Sequence, residues 1–454
     1  MTAATDYPNA IALLWGDMPR WDFKTARASL FRKRYPTFRP LGDFADEATE
    51  LVRPSEDPDR EWPVYGVNNE TGVFLNQNQK GSEFNSPYKR IRKDWFFHNP
   101  TRANVGSLGR VPDVPQDAIT SPEYQVWRTR EGLLPAYAEV LLQMPFFRDQ
   151  IECHRVGGVK ERLFVQNLLE IPIPPLDERV QQAIVEHWNK GQAAASAVQQ
   201  EAAKLEAGLE QELLQAVGIS VPPPTPRRGA FAIPWSTFER WDTFFYRGDF
   251  LKLDADLDRL DAQPLGEVAN FISRPWCKGD FPKGTFRYIE IAGVDRQQGI
   301  TSSKEVPVED APSRAATLTN TGDLLLSTTR PYLGAFALVT PEYDRCVCSS
   351  GFAVIDGVDR SKIDAGFLLA FLKSPAGLRQ MERRMTGGLY PAIVQSELEK
   401  IKVPLLPLPE QHGFLRSMRK GQQRIEDCRK QAQQLAEQTK AEVEAMILGK
   451  RPVF

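Results

Sequence analysis

The sequence is poor in the residues that most enzyme chemistry needs. Its 454 residues include four histidines and five cysteines. The histidines, His98, His154, His187 and His412, are scattered without metal-ligand spacing. The one close cysteine pair, Cys346-x-Cys348, has no second pair at zinc spacing, so free thiols in a reducing compartment are expected. No phosphate-binding loop of the Walker type occurs. The nearest string to the Asn-Pro-Pro-aromatic tetrapeptide of adenine methyltransferases, His98-Asn99-Pro100-Thr101, lacks the second proline and the aromatic. No cofactor-binding glycine loop precedes it. A non-catalytic chain is therefore expected. The rival reading, a nuclease or methyltransferase with an unrecognised site, would require activity from the isolated chain.

Long apolar runs and an excess of one charge are also missing. The most apolar stretch, GLLPAYAEVLLQMPFF, is broken by Glu139 and two prolines and falls short of the roughly 20 apolar residues of a membrane helix. The N-terminal stretch has neither a basic start nor an apolar core, so no signal peptide and a cytoplasmic location are expected. Lys and Arg number 57 against 59 Asp and Glu, a formal net charge of −2. Any phosphate-binding surface must then be local.

What is present is a repeat. GGVKERLFVQNLLEIPIPPLDERVQQAI, from Gly157, aligns with GGLYPAIVQSELEKIKVPLLPLPEQHGF, from Gly387, at an offset of 230 that holds without a gap. Pro145 meets Pro375, Gln150 meets Gln380, Leu168 meets Leu398 and Pro174 meets Pro404. Asn189-Lys190-Gly191-Gln192 meets Arg419-Lys420-Gly421-Gln422. Upstream the offset drifts: Arg20-Trp21-Asp22 pairs with Arg240-Trp241-Asp242, Pro40-Leu41-Gly42 with Pro264-Leu265-Gly266, and Thr101-Arg102 with Thr329-Arg330. Two copies are too few for a solenoid, and each is large enough to be a domain. A pseudo-two-fold molecule is expected.

Each copy opens with a variable half, from about Trp21 to Pro175 and from about Trp241 to Leu406. WPVYGV and DWFFHNP in the first, and GDLLLSTTR and GAFALVT in the second, read as short strands bounded by Gly, Pro and Asn. LPAYAEVLLQM and DAGFLLAFLKS read as helices. After the proline stops IPIPPL and VPLLPLP, about 40 residues almost free of Gly and Pro follow in each copy. Ala195, Val198, Ala202, Leu205, Leu209, Leu213 and Ala216 recur at steps of three and four. Ile425, Cys428, Ala432, Leu435, Thr439, Val443 and Met446 stand 230 residues later. That is a heptad-like seam on a helix roughly 60 Å long. So narrow a seam predicts that the two helices pair antiparallel. Gly218 is the expected C-cap of the first, and VPPPTPRRGAFAIP is a proline-stiffened linker.

Basic residues cluster in both variable halves. From Lys80 to Arg110 seven Lys and Arg, including Lys89, Arg90, Arg92, Lys93 and Arg102, face two acids and are interleaved with Asn99 and Asn104. In the second copy Arg274, Lys278, Lys283 and Arg287 surround Trp276 against one acid, Asp280. The loop after each Gly-Gly pair adds Lys160 and Arg162 in one copy and Tyr390 in the other, with His154-Arg155 and Arg383-Arg384 just before it. Lys and Arg fix phosphates, while Arg and Asn match the edges of guanine and adenine. Arg330 and Tyr332, after the second Thr-Arg, join the candidate DNA contacts. A repeat-built scaffold without DNA affinity is the other alternative.

The whole plan resembles the specificity subunits of type I restriction-modification systems. The resemblance rests on the Arg-Trp-Asp openings, on FFHNPTRANVGSLGRV and LLLSTTRPYLGAFALV, on the Gly-Gly loops, and on the proline stops followed by Leu176-Asp177-Glu178 or Leu408-Pro409-Glu410-Gln411. It implies an α+β fold: two mixed α/β target-recognition domains in pseudo-two-fold arrangement, separated by a pair of long antiparallel coiled-coil-like helices. The domains would be residues 1–176 and 239–408, the helices 177–218 and 409–449, and the linker 219–238. Val198, Leu205, Leu209, Ile425, Leu435 and Val443 would form the helix seam. The resemblance further implies that each domain reads half of a bipartite double-stranded DNA site. Partners would be two adenine methyltransferase subunits and a translocating restriction subunit. S-adenosylmethionine, Mg and ATP would reside on those partners, with no cofactor or metal on this chain.

Overall fold

A computed structural model describes residues 22–226 and 232–454. Arg20, Trp21 and Arg227–Phe231 of the linker lie outside the described residues. The chain forms two compact units: one runs through Val198 and takes up Lys430–Phe454, and the other is Gln199–Arg429. The cut falls inside both long helices, not at residues 176 and 408 where the composition changes.

The two units repeat one topology. In the first, an antiparallel four-stranded sheet runs in the order Ala45–Glu47, Gln125–Thr129, Phe96–His98, Leu108–Arg110. In the second the order is Ala269–Ile272, Phe352–Val358, Leu324–Ser327, Phe336–Leu338, again antiparallel. A second, mixed sheet accompanies each. Its one parallel pairing joins Val64 to Ile119 in the first unit and Tyr288 to Val347 in the second. The four runs read as strands from the sequence all lie in these sheets.

The helices Pro135–Gln143 and Ala365–Lys373 match the two read from the sequence. Each is followed by a helix the sequence reading missed, Pro145–His154 and Pro375–Arg384, because a proline at N1 starts a helix as readily as it stops one. Two more, Phe23–Arg34 and Gly248–Arg259, precede the strands of each copy. Phe23–Arg34 has its N-cap at Asp22, which accepts from the Thr25 amide at 2.8 Å.

The long helices span Glu178–Ala216 and Leu408–Ile447. The first ends as expected: Gly218 has φ +72°, and Ile219 N–H returns to Leu214 O at 2.8 Å, a Schellman closure. Antiparallel contacts occur inside each unit. A Cβ on Gly191 would fall 2.1 Å from Thr439 Oγ1, and one on Gly421 would fall 2.7 Å from Leu209 Cδ2. Gly191 and Gly421 are repeat equivalents, as are Leu209 and Thr439, so one close approach is made twice. Arg429 pairs with Glu206 at 2.9 Å in the second unit, and His187 bonds Glu442 at 2.9 Å in the first. Ala195, Ala202, Ile425, Ala432, Thr439 and Val443 are buried on the seam, and Val198, Leu205, Leu209 and Leu435 are half-buried. Ala216 is the exception: it is exposed, and Leu213 and Val217 are buried in its place.

The division through the helices has a packing cause. The core of the first unit, built on Phe96, Trp127, Tyr137 and Phe147, also contains Ile184 from the start of one helix and Val443, Met446 and Ile447 from the end of the other. The second core, around Phe336, Phe367 and Phe371, takes Leu213 from the end of the first helix and Phe414 and Leu415 from the start of the second. A buried glutamine fixes each helix start. Gln181 accepts from Leu134 N–H (2.9 Å) and donates to Gly132 O (2.7 Å) and Leu176 O (2.8 Å). Gln411, its equivalent, accepts from Asp364 N–H (2.8 Å) and donates to Lys362 O (2.8 Å) and Leu406 O (2.7 Å). Leu176-Asp177-Glu178, set beside Leu408-Pro409-Glu410 on sequence, is thus out of register, and Gln181 restores the match.

Candidate nucleic-acid interface

Two loops meet in each unit to form the candidate site. The first is the turn-containing connection between the paired strands Phe96–His98 and Leu108–Arg110, or Leu324–Ser327 and Phe336–Leu338. It carries Thr101-Arg102 in one unit and Thr329-Arg330 in the other. Asn99 Oδ1 accepts from Thr101 N–H at 3.0 Å and its hydroxyl at 2.8 Å, while Ser327 Oγ donates to Thr329 O at 2.8 Å. Gly106 (φ +95°) and Gly334 (φ +69°) close the turns in a conformation a side chain disfavours.

The second loop is the Gly-Gly hairpin. Val156 and Arg162 exchange backbone hydrogen bonds at 2.9 and 2.8 Å across its neck, as Thr386 and Ala392 do at 2.7 and 2.8 Å. Gly157 (φ +120°) and Gly387 (φ +99°) start the bend. The hairpin is tied to the turn: Leu163 N–H donates to Pro100 O (2.8 Å), and Ile393 N–H donates to Thr328 O (2.9 Å). In the first unit His98, fully buried, shares this junction through Nε2 to Leu163 O at 2.9 Å. Burial pushes the His98 imidazole down to about 4, so it is neutral and donates this bond.

A cleft lies beside each junction. One of about 480 Å³ is lined by Asn68, Asn69, Asn99, Arg102, Asn104 and Arg155 among others. Its counterpart, about 640 Å³, is lined by Arg296, Arg330, Tyr332, Arg379, Leu389 and Pro391 among others. Equivalent positions thus differ in chemistry: Asn104 answers to Tyr332, Lys160 to Tyr390 and Arg155 to Met385. The amide-rich cleft suits bidentate hydrogen bonding, and the aromatic one suits stacking and apolar contact. Arg330 stands out, because it adopts φ +49°, an uncommon conformation for a non-glycine residue. Its N–H is held by Pro391 O at 2.8 Å, and its guanidinium lies 5.3 Å from the Tyr390 ring centre.

The sequence-predicted contacts divide on this geometry. Arg102, Asn104, Lys160, Arg162, Arg330, Tyr332 and Tyr390 cluster at the two junctions, and all but half-buried Asn104 are exposed. Lys93, Lys278 and Lys283 are exposed elsewhere. The remainder are committed within the fold. Lys89 donates to Tyr124 O at 2.7 Å, and burial lowers its pKa. Arg90 donates to Gln116 O at 2.9 Å, and Arg92 pairs with Glu50 at 2.8 Å. Arg274 is held by Asp323 (2.9 Å) and Leu318 O (2.7 Å). Trp276 packs on Phe281 and Phe286 with its indole N–H donating to Ala315 O (3.1 Å). Arg384 is buried between Glu239 and Glu397, each at 2.9 Å. Arg240, from the second Arg-Trp-Asp opening, pairs with the same Glu397 at 2.7 Å, so that motif anchors the domain start. The sequence reading missed Asn68, Asn69 and Arg296, which lie far from the cleft loops along the chain, and Arg379, on the helix just before the second hairpin; none of them carries a motif.

Comparison with known proteins bears on this arrangement. No family model matches the sequence. The chain is 29% identical over 150 residues to the type I restriction enzyme EcoDI specificity subunit of Escherichia coli. That match spans 33% of this chain and 32% of the relative. A solved chain described under complex assembly and conformational transition of the type I R-M system superposes with a TM-score of 0.55 at 18% identity, covering 92% of this chain and 99% of that one. This chain resembles a type I specificity subunit. The likeness in sequence is confined to about a third of either protein, and the likeness in fold extends over nearly all of both. The HsdS subunit from Thermoanaerobacter tengcongensis aligns at TM-score 0.39 and 19% identity over 92% of this chain and 98% of its own. Among the described residues no helix is long and apolar enough to cross a membrane.

Proposed function

We propose that this chain is the DNA sequence-specificity subunit of a type I restriction-modification complex. Each unit reads one half of a bipartite double-stranded target at its turn-and-hairpin junction, and the paired helices set the unread spacing. The observation that carries this reading is the duplicated cleft: the backbone is built twice to one plan, while the side chains at Asn104/Tyr332 and Lys160/Tyr390 differ. A repeated backbone with changed contact residues is what two dissimilar half-sites require, since backbone placement positions the reader and side chains specify the base. Among the described residues Arg102, Lys160 and Arg162 have no ion-pair partner, and their exposed side chains can meet phosphate or guanine.

The chain is non-catalytic in this reading. Two methyltransferase subunits bring S-adenosylmethionine and extract and methylate an adenine in each half-site. A translocating subunit with Mg and ATP completes the restricting assembly in the cytoplasm. Two measurements test the proposal. Mapping methylated adenines in the host genome should reveal a bipartite motif that disappears when the gene is deleted. DNA binding by the assembled complex should weaken steeply as salt rises, because phosphate contacts release counterions. A methylation map that is unchanged by deletion would overturn it.

A further inference from the structure

Each Gly-Gly hairpin carries a side chain that the fold does not use. Val159 and Leu389 occupy the same place in the repeat, and both are almost wholly exposed, at 105% and 89%. An isolated exposed aliphatic is ordinary on a protein surface. Two at equivalent tips, on necks locked by paired backbone hydrogen bonds, are not a chance scatter. Neither tip is crowded: a Cβ on Gly158 or Gly388, just before it, would meet nothing within 4 Å. The tip therefore projects from the unit on a stiff support.

Its surroundings define what it meets. In the first unit Lys160 and Arg162 follow the tip, and Arg102 stands on the adjoining turn. In the second the tip lies beside exposed Arg330, whose guanidinium faces the Tyr390 ring, and Leu389 lines the cleft with Arg296 and Arg379, which are already paired with Glu210 at 2.7 Å and Glu382 at 3.2 Å. The exposed cations beside the tips, Arg102, Lys160 and Arg162 in one unit and Arg330 in the other, position a polyanion, and an aliphatic tip next to them has no favourable contact with phosphate. The apolar surfaces that DNA offers within a groove are the base edges, the thymine methyl and the faces of an opened step.

We propose that Val159 and Leu389 make apolar contact with bases, so that the Gly-Gly hairpin is a specificity element of each half-site and not a phosphate clamp. This rests on the DNA-reading function proposed above. The prediction is local to each unit: Leu389→Ala changes only the half-site read by the second unit, and Val159→Lys only that read by the first.

The test uses the full chain, assembled with its methyltransferase partners, and a pool of random-sequence duplexes from which bound DNA is selected and sequenced. The parent should select a bipartite motif. Leu389→Ala should keep binding to unselected duplex and the salt dependence of the parent. Its preference at one or two positions of one half-site should fall by about tenfold, the other half-site being unchanged. Leu389→Met should retain most of that preference. If Leu389→Ala selects the parental motif, the hairpin proposal is overturned while the reading of DNA stands. If it instead loses affinity for all duplexes with a shallower salt dependence, the hairpin is a backbone clamp and the proposal is again overturned. Failure of the parent to select any motif would overturn both.

Discussion

Single residues show how the repeat keeps a backbone while changing what holds it. His98 and Leu326 occupy one position, and each is buried in its sheet. With its folded pKa near 4, below the ordinary 6.5, His98 favours the native state above pH 6.5 and loses that contribution as pH falls from 6.5 towards 4. The loss is up to about 3 kcal/mol. His98→Leu, copying the second unit, should flatten the stability of the first unit across that window in urea titrations. Gln150 and Gln380 differ in the same way. Gln380 donates to Lys402 O (3.0 Å) and accepts from Lys402 N–H (2.8 Å). Gln150 is fully buried and neither of its amide atoms has a partner among the described residues; its counterpart to Lys402 is Pro172, which has no N–H to give. Gln380→Leu should cost about 1–3 kcal/mol by orphaning a buried amide, whereas Gln150→Leu should be neutral or stabilising. Equal effects in thermal melts would count against this account.

At the level of elements, the long helices carry their specificity in glycine as much as in leucine. Glycine inside a helix costs about 1 kcal/mol relative to alanine, so each one needs a reason. Gly191 has one, since a Cβ there would lie within 2.7 Å of three atoms of Thr439. Gly208, on the same helix, meets nothing within 4 Å. Gly208→Ala should therefore raise the melting temperature, and Gly191→Ala should lower it despite the better helix propensity. Heptad periodicity announced these helices and their antiparallel partnership. It could not announce that Ala216 is exposed, because the seam gives way there to the core of the second unit. The helices missed at the sequence level, Phe23–Arg34, Pro145–His154, Gly248–Arg259 and Pro375–Arg384 among them, are short, and their apolar faces are legible only against the neighbouring helices they pack on.

For the whole molecule, a net charge of −2 means that DNA affinity must come from few, local cations. Arg102 and Arg330 stand in separate units, so their effects should add. Arg102→Ala and Arg330→Ala should each reduce the slope of log affinity against log salt by about 1, and the double variant by about 2. A double variant no worse than either single one would show that only one reader touches phosphate.

The sequence by itself determined the repeat, the α+β class, the long helices and the Thr-Arg and Gly-Gly loops, because these reside in contiguous pattern: an offset of 230, a period near 3.5, a Gly-Gly repeated at one place in each copy. The tertiary structure decided which cations face outward. Arg384 and Arg274 look like Arg102 in a charge count, yet Glu239, Glu397 and Asp323 claim them, and those acids lie between 13 and 145 residues away along the chain. Charge is read locally in a sequence, but its neutralisation is a long-range contact. Only the folded chain shows which charges remain for a partner.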